Sequence, residues 1–184
     1  MWSPDRRALL RLSAVMGLAA LTAGCFQPLY GDKSVVPSAG LDDKLSTVDV
    51  VEIDAPNGSR LKRVAIEVRN DLIFGMNGGG AAQTPAYVLK VKLASTQSQV
   101  IVDINSNRPD IQNYGINATY TLNEVGTGKT VASGTTFSRV SYNIPGQQQR
   151  FAGDRGLRDA ENRASQVIAD NIRNRLASYF VAGT

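Results

Sequence analysis

Residues 114–122 decide the fold, and they run Tyr114-Gly115-Ile116-Asn117-Ala118-Thr119-Tyr120-Thr121-Leu122. Every second residue of this stretch is apolar or aromatic: Tyr114, Ile116, Ala118, Tyr120 and Leu122. Asn117, Thr119 and Thr121, which alternate with them, are polar. Successive side chains of a strand point to opposite faces, so this period of two predicts a strand with one buried and one solvent-facing side. Such strands are typical of antiparallel sheets that leave one face open.

Three further segments are predicted to be strands. The turn Gly126-Thr127-Gly128 joins the strand of residues 114–122 to a second strand from Lys129 through Tyr142. The two strands form a long hairpin. Residues 87–93 alternate in the same way, with Lys90 and Lys92 on the solvent-facing side, and residues 95–103 either prolong that strand or fold back. Residues 47–54 are rich in Val and Ile and predict an initial strand that ends before Pro56 and Gly58.

Two segments have the periodicity of helices. Ser59 is a predicted N-cap before a helix from Arg60 to Phe74, and residues 75–80 form a glycine-rich loop after it. A longer helix begins at Gln149 or Asp154 and ends at Phe180. The apolar stripe of this long helix consists of Leu157, Ala160, Ala164, Ile168, Ile172, Leu176 and Tyr179.

The predicted order of elements is β-α-β-β-β-α. We therefore expect an α+β fold in which two amphipathic helices pack on one face of a mixed four-stranded sheet. The other face of the sheet stays partly open.

The N-terminus has the organisation of an export signal. Arg6, Arg7 and Arg11 precede an apolar run over residues 12–23, and Ala23-Gly24 stands directly before Cys25, the single cysteine. This arrangement resembles the lipobox of bacterial lipoproteins, which implies cleavage after residue 24 and a covalent lipid on Cys25. The arginine pair also allows twin-arginine export, although the general secretory route is the simpler interpretation.

The chain divides into four segments on this basis. Residues 1–24 are a cleaved signal peptide, and residues 25–45 are the lipidated cysteine and a flexible tether containing Pro28, Gly31, Pro37 and Gly40. Residues 46–180 are a single α/β domain, and residues 181–184 are a short tail. The acyl chains would hold the mature protein at a membrane surface.

The composition excludes several classes of function. Removing residues 1–24 takes away three arginines and Asp5, so the net charge falls from +4 to +2 and the case for nucleic-acid binding weakens. The chain has no histidine, and its single cysteine is assigned to the lipid. Disulfides, histidine-based catalysis and most transition-metal sites are thereby excluded, and we expect neither an enzyme nor a metal or other cofactor.

The long helix also carries charges outside its apolar stripe: Arg155, Arg158, Arg163, Arg173 and Arg175. We interpret these arginines as a solvated face with local ion pairs such as Asp159 with Arg163. Binding of an anionic ligand is the alternative interpretation.

Three stretches of the chain resemble the LptE family of lipopolysaccharide-assembly lipoproteins in its alphaproteobacterial form. They are Cys25-Phe26-Gln27-Pro28-Leu29-Tyr30-Gly31, the end of the first helix at Leu72-Ile73-Phe74-Gly75, and the long-helix segments 158–164 and 172–176. One departure from the family is that no glycine follows the cysteine directly. With the order of elements, the resemblance spans essentially the whole mature chain.

The resemblance implies a function that composition does not show. Proteins of this family sit in the outer membrane, in the lumen of the β-barrel LptD, and help to place lipopolysaccharide in the outer leaflet. The implied partners are therefore an LptD-like barrel, lipopolysaccharide, and the membrane that holds the N-terminal acyl chains. Location on the periplasmic side or inside the barrel lumen follows from the same resemblance.

Phosphate groups on lipopolysaccharide are recognised best by charge-assisted hydrogen bonds. The residues themselves, rather than the family, suggest four candidates for these bonds: Lys90, Lys92, Lys129 and Arg139. Ordinary solubilising charges are the alternative reading of all four.

Two other functions remain open from the sequence. The chain could be another envelope-assembly or transporter-accessory lipoprotein with a different partner. An envelope hydrolase is the second alternative, but the chain has no Gly-x-Ser-x-Gly motif and no histidine for a triad.

Overall fold

The computed structural model of the chain describes residues 40–80, 82, 84–103, 108–144 and 150–183. The expected signal peptide, the lipidated Cys25 and most of the tether lie outside the described residues. Those expectations therefore stay predictions.

The described residues form helices and strands in the following order: α1 (Leu41–Ser46), β1 (Val48–Val50), α2 (Arg60–Asn77), β2 (Tyr87–Asp103), β3 (Arg108–Glu124), β4 (Thr130–Asn143) and α3 (Arg150–Ala182). From β1 onward this is the predicted order β-α-β-β-β-α. The α+β class is confirmed.

The sheet is mixed, as predicted, and its strands lie in the order β1-β2-β3-β4. β1 pairs with β2 in parallel, with Val48 beside Tyr87 and Val50 beside Leu89. Parallel strands need a crossover connection, and α2 supplies it between β1 and β2. β2, β3 and β4 pair antiparallel, and β2 runs as one strand through residues 95–103 rather than folding back.

The residues predicted to face inward on β3 are all buried: Tyr114, Ile116, Ala118, Tyr120 and Leu122. The register places Val91, Tyr120 and Gly134 side by side across β2, β3 and β4. Leu89 and Leu122 form the neighbouring pair, and both are fully buried. The period of two in the sequence therefore corresponds to one continuous apolar face of the sheet.

The two long helices cover this apolar face. α2 packs against β1 and β2, α3 packs against β3 and β4, and the helices also pack on each other. Six of the seven residues in the predicted stripe of α3 are buried: Leu157, Ala160, Ala164, Ile168, Ile172 and Leu176. Tyr179 is only half-buried, because Phe180 takes the inward position, with its ring centroid 5.2 Å from that of Tyr87.

The predicted start of the domain at residue 46 is corrected by α1. Leu41 and Leu45 lie one turn apart on this helix, and both are buried against α2 and α3. The compact unit of the described chain begins at Gly40. Residues 41–45, which were expected to belong to the tether, are therefore part of the fold.

Two other boundaries differ from the predictions. α2 continues beyond Phe74 to Asn77, because Met76 adds a further buried turn and Gly78 then ends the helix in the left-handed conformation (φ 67°). The first strand pairs only over Val48–Val50 rather than residues 47–54. After Val50 the chain turns toward α2, and Ile53 and Ala55 are buried without belonging to a strand.

None of the helices in the described part of the chain combines the length and the hydropathy that a membrane span requires.

Candidate functional site

No described helix or strand covers the face of the sheet opposite α2 and α3, and we call it the open face. It carries the alternate residues of three strands: Lys90, Lys92, Ala94, Thr96 and Ser98 on β2, Asn113, Gly115, Asn117, Thr119 and Thr121 on β3, and Ser133, Thr135, Phe137, Arg139 and Ser141 on β4. Hydroxyls and amides dominate this face. It can offer many hydrogen bonds to a polar ligand or partner.

Lys90 and Lys92 lie next to each other on the open face, and both are exposed. Lys90 is paired with Thr121 and Lys92 with Thr119, so each lysine has a threonine of β3 as its cross-strand neighbour on the open face. Two positions on one face of a strand are about 7 Å apart. The two lysines can therefore contact a single phosphate group or two neighbouring ones.

Phe137 is a large apolar side chain on the open face, and 71% of it is exposed. It lies in a row with Asn117 and Ala94, one row along the strands from Lys92. From the strand spacings, Phe137 and Lys92 are about 12 Å apart. An exposed ring close to two ammonium groups is the combination of apolar and cationic surface that an acylated phosphate compound needs.

Arg139 and Lys129 are both exposed but lie far from each other. Lys129 stands in the β3–β4 turn, where its carbonyl accepts a hydrogen bond from the Glu124 amide at 2.9 Å. Ten residues of extended strand, about 33 Å, separate it from Arg139. The structure therefore brings Lys90 and Lys92 together but does not bring Lys129 and Arg139 into one site.

A second group of charges lies on the helix side, and the sequence did not indicate that these residues form a group. Arg63 on α2 forms an ion pair with Glu161 on α3, and Glu161 is 1% exposed. No periodic pattern links two helices that lie far apart in the sequence. The signal in the sequence was a glutamate one position after Ala160 in the apolar stripe, where a buried carboxylate requires a partner.

The buried tyrosines act as structural groups. Burial raises the pKa of Tyr114, Tyr120 and Tyr142, so these phenols stay protonated at neutral pH. The Tyr142 hydroxyl donates a hydrogen bond to Gln112 Oε1 at 2.7 Å. Among the described residues, no group of three or more Asp, Glu, Cys or His side chains is placed to hold a metal ion.

A family model described as "LptE: Lipopolysaccharide-assembly" matches residues 45–176. This range is well over half of the sequence, so the chain belongs to the LptE lipopolysaccharide-assembly family. The family resemblance found in the sequence is confirmed.

Solved structures of lipoproteins share the fold. One from Caulobacter crescentus CB15 is 19% identical, with a TM-score of 0.60 over 78% of this chain and 97% of that chain. The rare lipoprotein B from Shewanella oneidensis is 14% identical, with a TM-score of 0.52 over 73% of this chain and 96% of that one. At these identities the likeness shows the fold alone. No significant match was found among curated protein sequences.

Proposed function

We propose that this chain is an outer-membrane lipoprotein that works with an LptD-type β-barrel to place lipopolysaccharide in the outer leaflet. It would occupy the barrel lumen from the periplasmic side, help the barrel to assemble, and bind lipopolysaccharide directly. Family membership supports the assembly role. The observation that carries the binding role is the open face, with Lys90 and Lys92 side by side and Phe137 exposed nearby.

The physical chemistry of the open face fits this ligand. Lipopolysaccharide combines phosphates, sugar hydroxyls and acyl chains. Ammonium groups form charge-assisted hydrogen bonds to phosphate, and rows of Thr, Ser and Asn exchange hydrogen bonds with sugars. The apolar Phe137 ring offers contact area to an acyl chain.

The proposal contains no catalytic step and no metal. The covalent lipid on Cys25 supplies the anchor, and binding and steric guidance supply the function. The uncovered sheet face supports such a role, because its exposed hydrogen-bonding side chains can meet the inner wall of a barrel without unfolding the domain.

The anchor is tested by Cys25→Ser in the full chain. The serine hydroxyl does not replace the thiol in lipid transfer, so labelling with radioactive palmitate should be lost. Acyl chains contribute about 0.8 kcal/mol per buried methylene, so loss of the lipid should also weaken membrane association. Continued palmitate labelling of the variant would reject lipidation at this residue.

The barrel partnership is tested by affinity purification of the full chain from solubilised envelopes. We expect one large β-barrel to co-purify, and depletion of the chain should lower the amount of folded barrel and of surface lipopolysaccharide. If no barrel co-purifies and surface lipopolysaccharide is intact after depletion, the chain is a different envelope lipoprotein.

The open face is tested by Lys90→Gln combined with Lys92→Gln. Binding of the purified full chain to lipopolysaccharide in detergent should weaken about tenfold, since two charge-assisted contacts are lost. Binding by the parent should also weaken with salt, because charges are screened over about 10 Å at 0.1 M. The matched control is Gln166→Glu with Ser178→Glu, which changes the net charge equally but on the exposed side of α3. Equal losses in both double variants would assign the effect to net charge and remove the open face as the site.

A further inference from the structure

An arginine-rich cleft lies where the first turns of α2 and α3 meet. Its volume is about 600 Å³, which is within the usual size of small-molecule sites. We call it the arginine cleft, and the following residues line it: Arg60, Arg63, Phe151, Ala152, Asp154, Arg155, Leu157, Arg158 and Glu161.

Positive charge exceeds negative charge in the arginine cleft. Four guanidinium groups face two carboxylates there, and the Arg63 ion pair with Glu161 accounts for one of each. Within the described part of the chain, Arg60, Arg155 and Arg158 form no ion pair. Burial is the main cause that lowers the pKa of Arg63, and repulsion from the nearby charge of Arg158 lowers it further. An anion in the cleft would relieve that repulsion.

Glu161 provides a second, independent observation. It is almost completely buried, and Oε2 faces Arg63, but Oε1 has no hydrogen-bond partner among the described residues. A buried acceptor without a donor costs about 1–3 kcal/mol, and more when it is charged. A ligand that suits the cleft therefore carries two groups: an anion for the arginines and, beside it, a hydrogen-bond donor for Glu161 Oε1.

We propose that the arginine cleft binds a phosphorylated saccharide. The phosphate would contact Arg155 and Arg158, since planar guanidinium groups bind phosphate oxygens in pairs. A sugar hydroxyl next to the phosphate would donate to Glu161 Oε1. A neutral sugar lacks the anion, and inorganic phosphate can donate only from a P–OH group on the same small ion that the arginines hold. A sugar phosphate carries the anion and a separate hydroxyl donor, and it fits the cleft volume.

The exposed Phe151 side chain gives the rim of the cleft an apolar side, and Ala152 and Leu157 continue it. The carbon-rich face of a sugar ring can pack there. This site is on the helix side of the molecule and is therefore separate from the open face. The preference for a sugar phosphate follows from the residues of the cleft. Lipopolysaccharide as its natural source rests on the proposed function.

The test is an NMR titration of the full chain in detergent micelles, observing the Nε–H signals of the arginines. The probes are glucose 1-phosphate, inorganic phosphate and glucose. We expect glucose 1-phosphate to bind at least about tenfold more tightly than the other two and to shift the Arg155 and Arg158 signals. Equal affinity for inorganic phosphate and glucose 1-phosphate would overturn the proposal, as would the absence of any shift.

Variants separate the two parts of the site. Arg155→Gln with Arg158→Gln should weaken glucose 1-phosphate binding about tenfold or more, and both residues are exposed, so the fold should stay intact. Glu161→Gln should abolish the preference for glucose 1-phosphate over inorganic phosphate, because the carboxylate that accepts from the sugar hydroxyl is lost. Affinity for inorganic phosphate should not fall, since Arg63 loses its ion-pair partner and its charge becomes available to the anion. Gln166→Glu with Ser178→Glu is the matched control, because it lowers the net charge by the same amount at exposed positions of α3 that do not line the cleft, and it should change neither affinity appreciably. Unchanged binding in the double arginine variant would reject the cleft.

The source of the ligand is decided by titrating lipopolysaccharide into the same variants. Weaker lipopolysaccharide binding in the double arginine variant assigns the cleft to the lipid's phosphorylated sugars. Unchanged lipopolysaccharide binding, together with lost glucose 1-phosphate binding, assigns it to a soluble sugar phosphate. Because the open face is tested by different residues, failure of the proposed function and failure of this site give different results.

Discussion

The two faces of the sheet differ although the same strands build both. On β3, Ile116 and Leu122 are fully buried under the helices, whereas Asn117 and Thr119 between them are exposed. On β4 the covered face holds Ser138, which is 6% exposed, and the next residue, Arg139, is exposed on the other face. One residue along the strand thus separates core from surface.

This difference shows that the buried residues of the covered face stabilise the sheet, while the residues between them have little part in its core. The covered face excludes water and supplies the hydrophobic free energy of the fold. The open face contributes little to this hydrophobic free energy, so its side chains can vary to suit a ligand or partner without a large loss of stability. Equivalent substitutions should therefore have unequal effects on the stability of the domain when they are made on the two sides of the sheet.

The largest expected effect is on the helix layer over the covered face. Ile168→Asp would place an unpaired carboxylate at a fully buried position, which costs several kcal/mol, comparable with the whole stability of a domain of about 5–15 kcal/mol. We expect the cooperative thermal transition, followed by circular dichroism, to be lost. Val167→Asp is the matched control: its side chain is exposed on the same helix, so the transition should persist. Equal damage from both would contradict the orientation of α3.

A smaller loss of stability is expected from replacing a glycine by alanine, and its size should differ between two glycines, one on each face of the sheet. A Cβ at Gly134 on the covered face would lie 2.7 Å from the Tyr120 hydroxyl and 2.9 Å from its ring, and the buried ring has little room to move. Gly134→Ala should therefore destabilise the domain by about 1–3 kcal/mol in chemical denaturation.

Gly115→Ala on the open face is the comparison for this change. Its Cβ would lie 2.7 Å from Thr96 Oγ1, but Thr96 is exposed and its side chain can rotate away. The loss should be no more than about 0.5 kcal/mol. If Gly115→Ala cost as much as Gly134→Ala, the open face would be as tightly packed as the covered one.

The smallest effect concerns Asp71, at the edge of the covered side between α2 and α3. Burial, followed by the charges of Glu67 and Asp170, raises its pKa above the ordinary value of 3.8. The ionised form is therefore disfavoured by folding at neutral pH, and acidification through the raised pKa removes that penalty. Asp71→Asn should raise stability at pH 7 by a few tenths of a kcal/mol, the scale of repulsion between like charges on helices.

The gain from Asp71→Asn should shrink as the pH falls toward the ordinary aspartate value, because the parent residue is then protonated. Thermal melting of both chains at neutral and acidic pH measures this difference. Asp54→Asn, at an exposed carboxylate, is the control. A gain that stays constant with pH would contradict a penalty from ionised Asp71.

The pattern of apolar residues predicted the strands and the long helices, but it failed where a segment is short. α1 has six residues, only two of them inward-facing leucines, and its N-cap Gly40 provides no side-chain hydrogen bond. Nothing local distinguishes such a segment from a tether. Its helix is stabilised by contact of Leu41 and Leu45 with α2 and α3, and that contact exists only after folding.

The candidate sites were predictable to different degrees. Lys90 and Lys92 could be placed on one exposed face because they are two residues apart in a strand of clear alternation. The separation of Lys129 and Arg139 was also predictable, because the predicted strand from Lys129 through Tyr142 places them ten residues apart. The sequence offered anion binding by Arg155 and Arg158 only as an alternative, and it could not predict the arginine cleft, because the cleft combines the first turns of two helices that adjoin only through their packing.

The sequence by itself determined which side of each strand and helix is apolar, and hence the class of fold and its open face. It could do so because side-chain direction follows from the backbone period of each element. Only the tertiary structure decided that β1 lies parallel to β2, that α1 belongs to the domain, and that Arg63 meets Glu161. These features depend on contacts between residues distant in the chain, which the pattern within one segment does not specify.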